Sequence, residues 1–184
     1  VCNMYVSVTK NDFVCLKGQN VQRYYLNGIN YVSKNKIKQE YKWLLVHKII
    51  AQEIIGRYGK PLFGNFRNVR LKAMLDLDNV LTLDTVVNIF NLKRYDLKLL
   101  LALLNSRLMS WFFHIYFYNK SQITVHFGNE YVRSFPIPKN IDKKQETNII
   151  NLVNQMLSLQ KKIHEEKLSG GEKERLEQQI TNID

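Results

Sequence analysis

A chain of 184 residues that is 45% hydrophobic and 11% aromatic carries enough apolar side chain to bury a core, which excludes disorder as its main description. Its 27 Lys and Arg outnumber 16 Asp and Glu, and this surplus of +11 points to a polyanionic partner, with an acidic membrane surface as second choice. Two cysteines, Cys2 and Cys15, are too few for a disulfide framework or a zinc site and fit a reducing, cytoplasmic setting.

The chain begins with valine and no signal peptide precedes it, so a piece of a longer protein is expected. The first predicted element is a strand through FVCLKG, Phe13–Gly18, continued by the β-rich QRYYLNG, which a glycine turn closes. Between Leu16 and Gly28 stand Lys17, Gln19, Asn20, Gln22 and Arg23, with no acid among them. Lys and Arg hold phosphate, while Asn, Gln and Arg can pair with base edges, so this stretch is the first candidate DNA-contacting surface. Tyr24 and Tyr25 must point to opposite faces of a regular strand, and Tyr24 is taken with the candidate set. A basic edge strand protected from aggregation has a similar composition.

Residues Lys34–Lys48 suit a helix leading into the strand HKIIAQEII, His47–Ile55. RYGKPLFGNFRNVRLK, Arg57–Lys72, reads as a basic loop and a second candidate surface. Its Arg57, Lys60, Arg67, Arg70 and Lys72 are interleaved with Tyr58, Phe63 and Phe66, a mixture that suits groove or backbone binding. A solvated loop anchored by its phenylalanines is the plainer alternative. Arg70–Leu92 predicts two strands around Asp78-Asn79, the second rich in Val, Thr and Ile.

Leu97–Tyr118 resembles a membrane span in its greasiness, but Arg107 at its centre would cost about 2.5–3.5 kcal/mol on insertion scales. The expectation is one buried core helix and no membrane partner. Asn105-Ser106-Arg107 inside it are expected to cap or pair within the fold. Lys120 and Gln122, with Thr124, form a third candidate surface after this helix.

The prolines of SFPIPKN, Ser134–Asn140, force an extended boundary. Beyond it, Ile149, Leu152, Met156, Leu159 and Ile163 recur as a heptad seam. SGGE, Ser169–Glu172, predicts a reversal at Gly170-Gly171 and a capping box for a last helix whose face carries Leu176, Ile180 and Ile183. Residues 139–184 hold eight cations and eight anions, so residues 1–138 carry the whole surplus. The expected organisation is a basic α+β domain over residues 1–138, with a mixed or mainly antiparallel sheet and packed helices. A charge-neutral antiparallel helical hairpin over 139–184 follows as scaffold or spacer.

Signatures of catalysis are missing from the sequence. There is no GxGxxG, Walker-type loop, HExxH, CxxC or GxSxG, and His47, His114, His126 and His164 are scattered. Glu40 and Lys42 with Asp76, Asp78 and Asp84 could form a metal-dependent nuclease site, although these aspartates also suit turns and strand ends. The expectation is a fragment that is not an enzyme, with no catalytic residue, metal or cofactor of its own.

Taken in order, GQNVQRYYLN, KIIAQEI, AMLDLDNVLTLDTVVNIF, LKLLLALLNSRLMSWFF, FPIP and the helical end LEQQITNID resemble the TaqI-like C-terminal specificity domain of adenine-specific DNA methyltransferases and type IIG restriction–modification enzymes. LALLNS at Leu101–Ser106 followed by FPIP at Phe135–Pro138 is the most telling part, and the likeness runs over nearly the whole chain. It implies a target recognition domain that reads and clamps double-stranded DNA beside an upstream methyltransferase domain of the same parent chain, in a bacterial cytoplasm. S-adenosylmethionine, and magnesium if the parent also cuts DNA, would belong to that parent. The Tyr-rich, Gly-Leu-containing end common in the family does not follow the last helix here. The alternatives are a metal-dependent nuclease fragment and a protein-interaction module that docks through the hairpin.

Overall fold

The computed structural model describes residues 6–7, 13–33, 35, 37, 39–56, 69–90, 95–117 and 124–184. Within them the first strands are β1 (Val6–Ser7), β2 (Phe13–Leu16), β3 (Val21–Gln22), β4 (Tyr25–Leu26) and β5 (Asn30–Val32). Then come β6 (Lys48–Gln52), β7 (Ile54–Gly56), β8 (Ala73–Asp76), β9 (Leu81–Thr82) and β10 (Val86–Ile89). Helices α1 (Leu97–Asn105) and α2 (Arg107–Tyr116), strand β11 (Thr124–His126), and helices α3 (Asn129–Ser134), α4 (Lys143–Glu165) and α5 (Gly170–Ile183) complete the order. The strands pair as β1-β5-β2-β9, β10-β6-β8, β11-β7 and β3-β4, antiparallel except for β2 with β9. This is the expected α+β class.

Strand β6 is the pivot. Ile49, Ile50 and Ala51 are buried, and β6 lies antiparallel between β10 and β8. Ile49 and Ala51 enter the main core with Leu101, Leu104, Met109 and Phe113, while Ile50 enters a smaller cluster with Leu16, Val21, Val80 and Val86. Alternation of side chains along a strand makes that division automatic.

Three local expectations are corrected. The strand predicted over His47–Ile55 breaks at Glu53, whose N–H donates to the Thr85 carbonyl while its own carbonyl accepts from Phe127 N–H. The chain there exchanges one neighbour, β10, for another, β11. Upstream, Gln39–Leu44 forms 3-10 turns instead of an α-helix, which lets Leu44 join Cys15, Val32 and Leu81 in a third cluster. Arg70–Leu92 yields three strands, because β9 leaves its neighbours to pair parallel with β2.

The greasy segment is likewise not one helix. α1 and α2 are bent by 60° at Ser106, and neither is long and apolar enough to cross a membrane. Ser106 ends one helix and caps the next: its hydroxyl donates to the Leu103 carbonyl at 2.7 Å and accepts from Met109 N–H at 3.0 Å. The bend sends Phe113 of α2 into a ring cluster with Phe127, Tyr131 and Phe135, so FPIP begins with a core anchor.

The C-terminal helices pack on this core and share it. Val153 and Met156 of α4 are buried in the main cluster, and Ile180 and Ile183 of α5 lie against it. The predicted seam is shifted in consequence: Leu152 is turned to solvent and Val153 takes its place, because α4 packs on α1 as well as on α5. The capping box of α5 forms as predicted, with Ser169 N–H donating to Glu172 at 2.9 Å. The reversal is made by Glu166–Ser169, and Gly170 and Gly171 already lie in the first turn of α5.

Candidate nucleic-acid interface

The stretch from Lys17 to Gly28 is a 3-10 turn followed by a two-residue hairpin, in place of a long regular strand. Gly18 starts the turn because its α-carbon faces Thr85: a Cβ there would lie 2.4 Å from the Thr85 carbonyl oxygen, and Gly18 N–H donates to Thr85 Oγ1 at 2.9 Å. Asn20 closes the turn from within. Its Oδ1 accepts from Lys17 N–H at 2.8 Å, and its Nδ2 donates to the Asn27 carbonyl at 3.0 Å. Asn20 is therefore buried with both ends of its amide engaged, which corrects its placement among residues free to meet a base.

The β3–β4 hairpin turns at Arg23-Tyr24, and Tyr24 adopts φ 65, a left-handed conformation uncommon for a bulky residue. Burial of its ring in the main core and donation of its N–H to the Ala73 carbonyl at 3.0 Å hold it there. Burial also pushes its phenol pKa up, with the charge of Arg23 opposing. Tyr24 is an anchor of the fold, so its placement on the DNA-contacting surface is corrected too. The surface set in this stretch is Lys17 and Gln19, both exposed, and half-buried Gln22, whose amide donates to the Gln19 carbonyl at 3.2 Å.

Arg23 and Arg70 converge from distant parts of the chain. Arg23 donates through Nη1 to Asp184 Oδ2 at 3.0 Å and through Nη2 to the Asn105 carbonyl at 2.9 Å and to Asp184 Oδ1. Arg70 donates to Asp184 Oδ2 at 2.7 Å. Burial works to raise the Asp184 pKa, but hydrogen bonding and charge from the two arginines outweigh it and hold the carboxyl below its ordinary value. Burial, followed by the positive charge of Arg23, lowers the Arg70 pKa. Burial likewise lowers the pKa of half-buried Lys72.

Asn105 is the hub beneath this cluster. Its fully buried amide grips one residue of β8 at both ends, accepting from Ala73 N–H and donating to the Ala73 carbonyl, each at 2.9 Å. Of the expected trio, Asn105 pairs and Ser106 caps within the fold, whereas Arg107 is exposed. The sequence pattern misses two further contacts, that of Asp184 and the face-to-face stack of Tyr25 on His164, with ring centroids 3.8 Å apart. Both partners sit on the C-terminal helices, over a hundred positions away, and no local pattern announces such contacts.

Arg57, Lys60, Arg67, Lys120 and Gln122 lie outside the described residues. Of the acids considered for metal chemistry, Asp76 is engaged by Lys48, whose fully buried ammonium donates to it at 2.5 Å and to the Leu44 and Val80 carbonyls at 2.6 and 2.9 Å. Asp76 further accepts from Asp78 N–H and Val80 N–H, so it organises a turn. Among the described residues no group of three His, Cys, Asp or Glu is placed to hold a metal ion.

No curated protein matches the chain. Residues 13–137, from β2 to the isoleucine of FPIP, match the family described as the TaqI-like C-terminal specificity domain, and α4 and α5 lie beyond the matched part. With more than half of its length inside that match, the chain belongs to the family of TaqI-like C-terminal specificity domains.

Proposed function

We propose that this chain is the DNA-reading module of a restriction–modification type adenine methyltransferase and performs no catalysis itself. Membership of the specificity-domain family carries the reading. The concentration of the +11 surplus in residues 1–138 agrees with it, since a surface that neutralises phosphates needs that excess. Lys17 supplies backbone affinity, and Gln19 and Gln22 present amides that can accept and donate to base edges. Methyl transfer, S-adenosylmethionine and any magnesium are assigned to the upstream domain of the parent protein. The turn around Asp76 argues against the nuclease alternative, because a carboxylate neutralised by a buried lysine is poorly placed to recruit a metal.

The test is titration of the purified chain onto fluorescent duplexes at several salt concentrations, combined with selection from random duplexes. Binding should weaken with salt by about 0.9 log unit per log unit of salt for each phosphate neutralised, and selection should return one motif. A flat salt response would overturn the proposal.

A further inference from the structure

The cluster of Arg23, Arg70 and Asp184 has more hydrogen-bond donors than a carboxylate can use. After both arginines have bonded to Asp184, Arg23 Nε and Arg70 Nη1 remain buried without a partner. Arg107 adds further positive charge, felt at Arg70. Asp184 also closes the C-terminal end of α5, where the helix dipole already carries partial negative charge and disfavours another anion. The carboxylate is thus held there by the arginines. A phosphodiester has the same charge, a wider spread of acceptor oxygens and a tetrahedral shape that could reach the idle donors as well.

We infer that Arg23 and Arg70 form a phosphate-binding position, and that Asp184 occupies it as an internal stand-in which the DNA backbone displaces. This rests on the DNA-reading assignment and adds a specific contact to it. Arg23 lies in the turn directly after Gln22, so a phosphate held there would adjoin the Gln22 amide. Displacement frees the end of α5 from the body, while Val153 and Met156 of α4 keep the hairpin rooted in the core. The C-terminal helices then act as an electrostatic latch that raises the threshold for non-specific binding.

The experiment compares the 184-residue chain with Asp184→Asn and Asp184→Glu, using duplex binding across salt and, separately, titration with inorganic phosphate followed by NMR of the arginine Nε–H signals. Asp184→Asn should bind duplex about three- to tenfold more tightly, and replacing the two arginines should lower the log–log salt slope by about 0.9, one phosphate contact. Asp184→Glu, which keeps the charge, should stay near the parent. Adding Arg23→Gln and Arg70→Gln to Asp184→Asn should abolish the gain. Phosphate should shift the arginine signals in Asp184→Asn at concentrations that leave the parent unchanged. If all variants bind duplex with the same affinity and slope and none responds to phosphate, the latch is overturned while the DNA-reading assignment stands. If Asp184→Asn takes up phosphate but no variant binds duplex, the anion site stands and the DNA-reading assignment falls. Equal melting temperatures establish that a loss of affinity in Asp184→Asn is not unfolding, and such a loss also overturns the latch.

Discussion

Replacing Lys48 with methionine removes a buried charge while leaving a side chain of similar length in the core, so the experiment isolates electrostatics from packing. Lys48 stands directly opposite Asp76 in the β6–β8 ladder and is fully buried, as is the Asp76 carboxylate to within 2%. Without the ammonium, Asp76 becomes an uncompensated internal anion supported only by the Asp78 and Val80 amides. The Leu44 and Val80 carbonyls also lose their donor. Breaking one side of a buried pair costs about 3–5 kcal/mol, and the stranded carbonyls bring the expected loss to about 4–6 kcal/mol. That is a large part of the 5–15 kcal/mol typical of a domain. Asp76→Asn should cost less, because Lys48 keeps its carbonyl acceptors and asparagine can still accept from the turn amides. The double variant should cost less than the sum of the singles by about 2–3 kcal/mol, the signature of coupled partners. Urea denaturation followed by circular dichroism and by the fluorescence of Trp43 and Trp111 measures all three. A loss below about 1 kcal/mol for Lys48→Met, or strict additivity, would refute the pair as a pin of the fold.

Other perturbations address the hub and the interface. Asn105→Ala strips both buried hydrogen bonds from Ala73 and should cost about 2–4 kcal/mol by the same denaturation assay. Lys17→Ala should weaken duplex binding equally for all sequences and lower the salt slope by about 0.9, whereas Gln22→Ala should relax the selected motif with little change of slope. The lowered pKa of Asp184 makes docking of α5 depend on acid: its contribution is fully present above the ordinary carboxyl value of 3.8 and is lost as pH falls through the lower folded value. Loss of the contacts that Ile180 and Ile183 of α5 make with the core, followed by NMR on acidification, would report this release, and Asp184→Asn should remove that dependence.

Much of the fold follows from local chemistry that can be read along the chain. The apolar run Ile49–Ala51 requires a strand covered on both faces, the spacing of Ser169 and Glu172 starts α5, and the paired prolines of FPIP end the basic region. The order of these segments was enough to show the family resemblance. Its charge division, with eight cations balancing eight anions after residue 138, is likewise a property of the sequence alone. Side chains with two possible uses were decided by tertiary structure. Asn20, Arg23 and Gln22 are neighbours of similar polarity, yet the first closes a turn, the second meets a carboxylate 161 positions away, and only the third keeps an accessible amide. Local propensity cannot distinguish these fates, because each depends on which distant donor or acceptor the fold delivers. The 60° bend at Ser106 is the same lesson in the backbone: a serine hydroxyl can cap a helix or ride within one, and the core position required of Phe113 selects the cap.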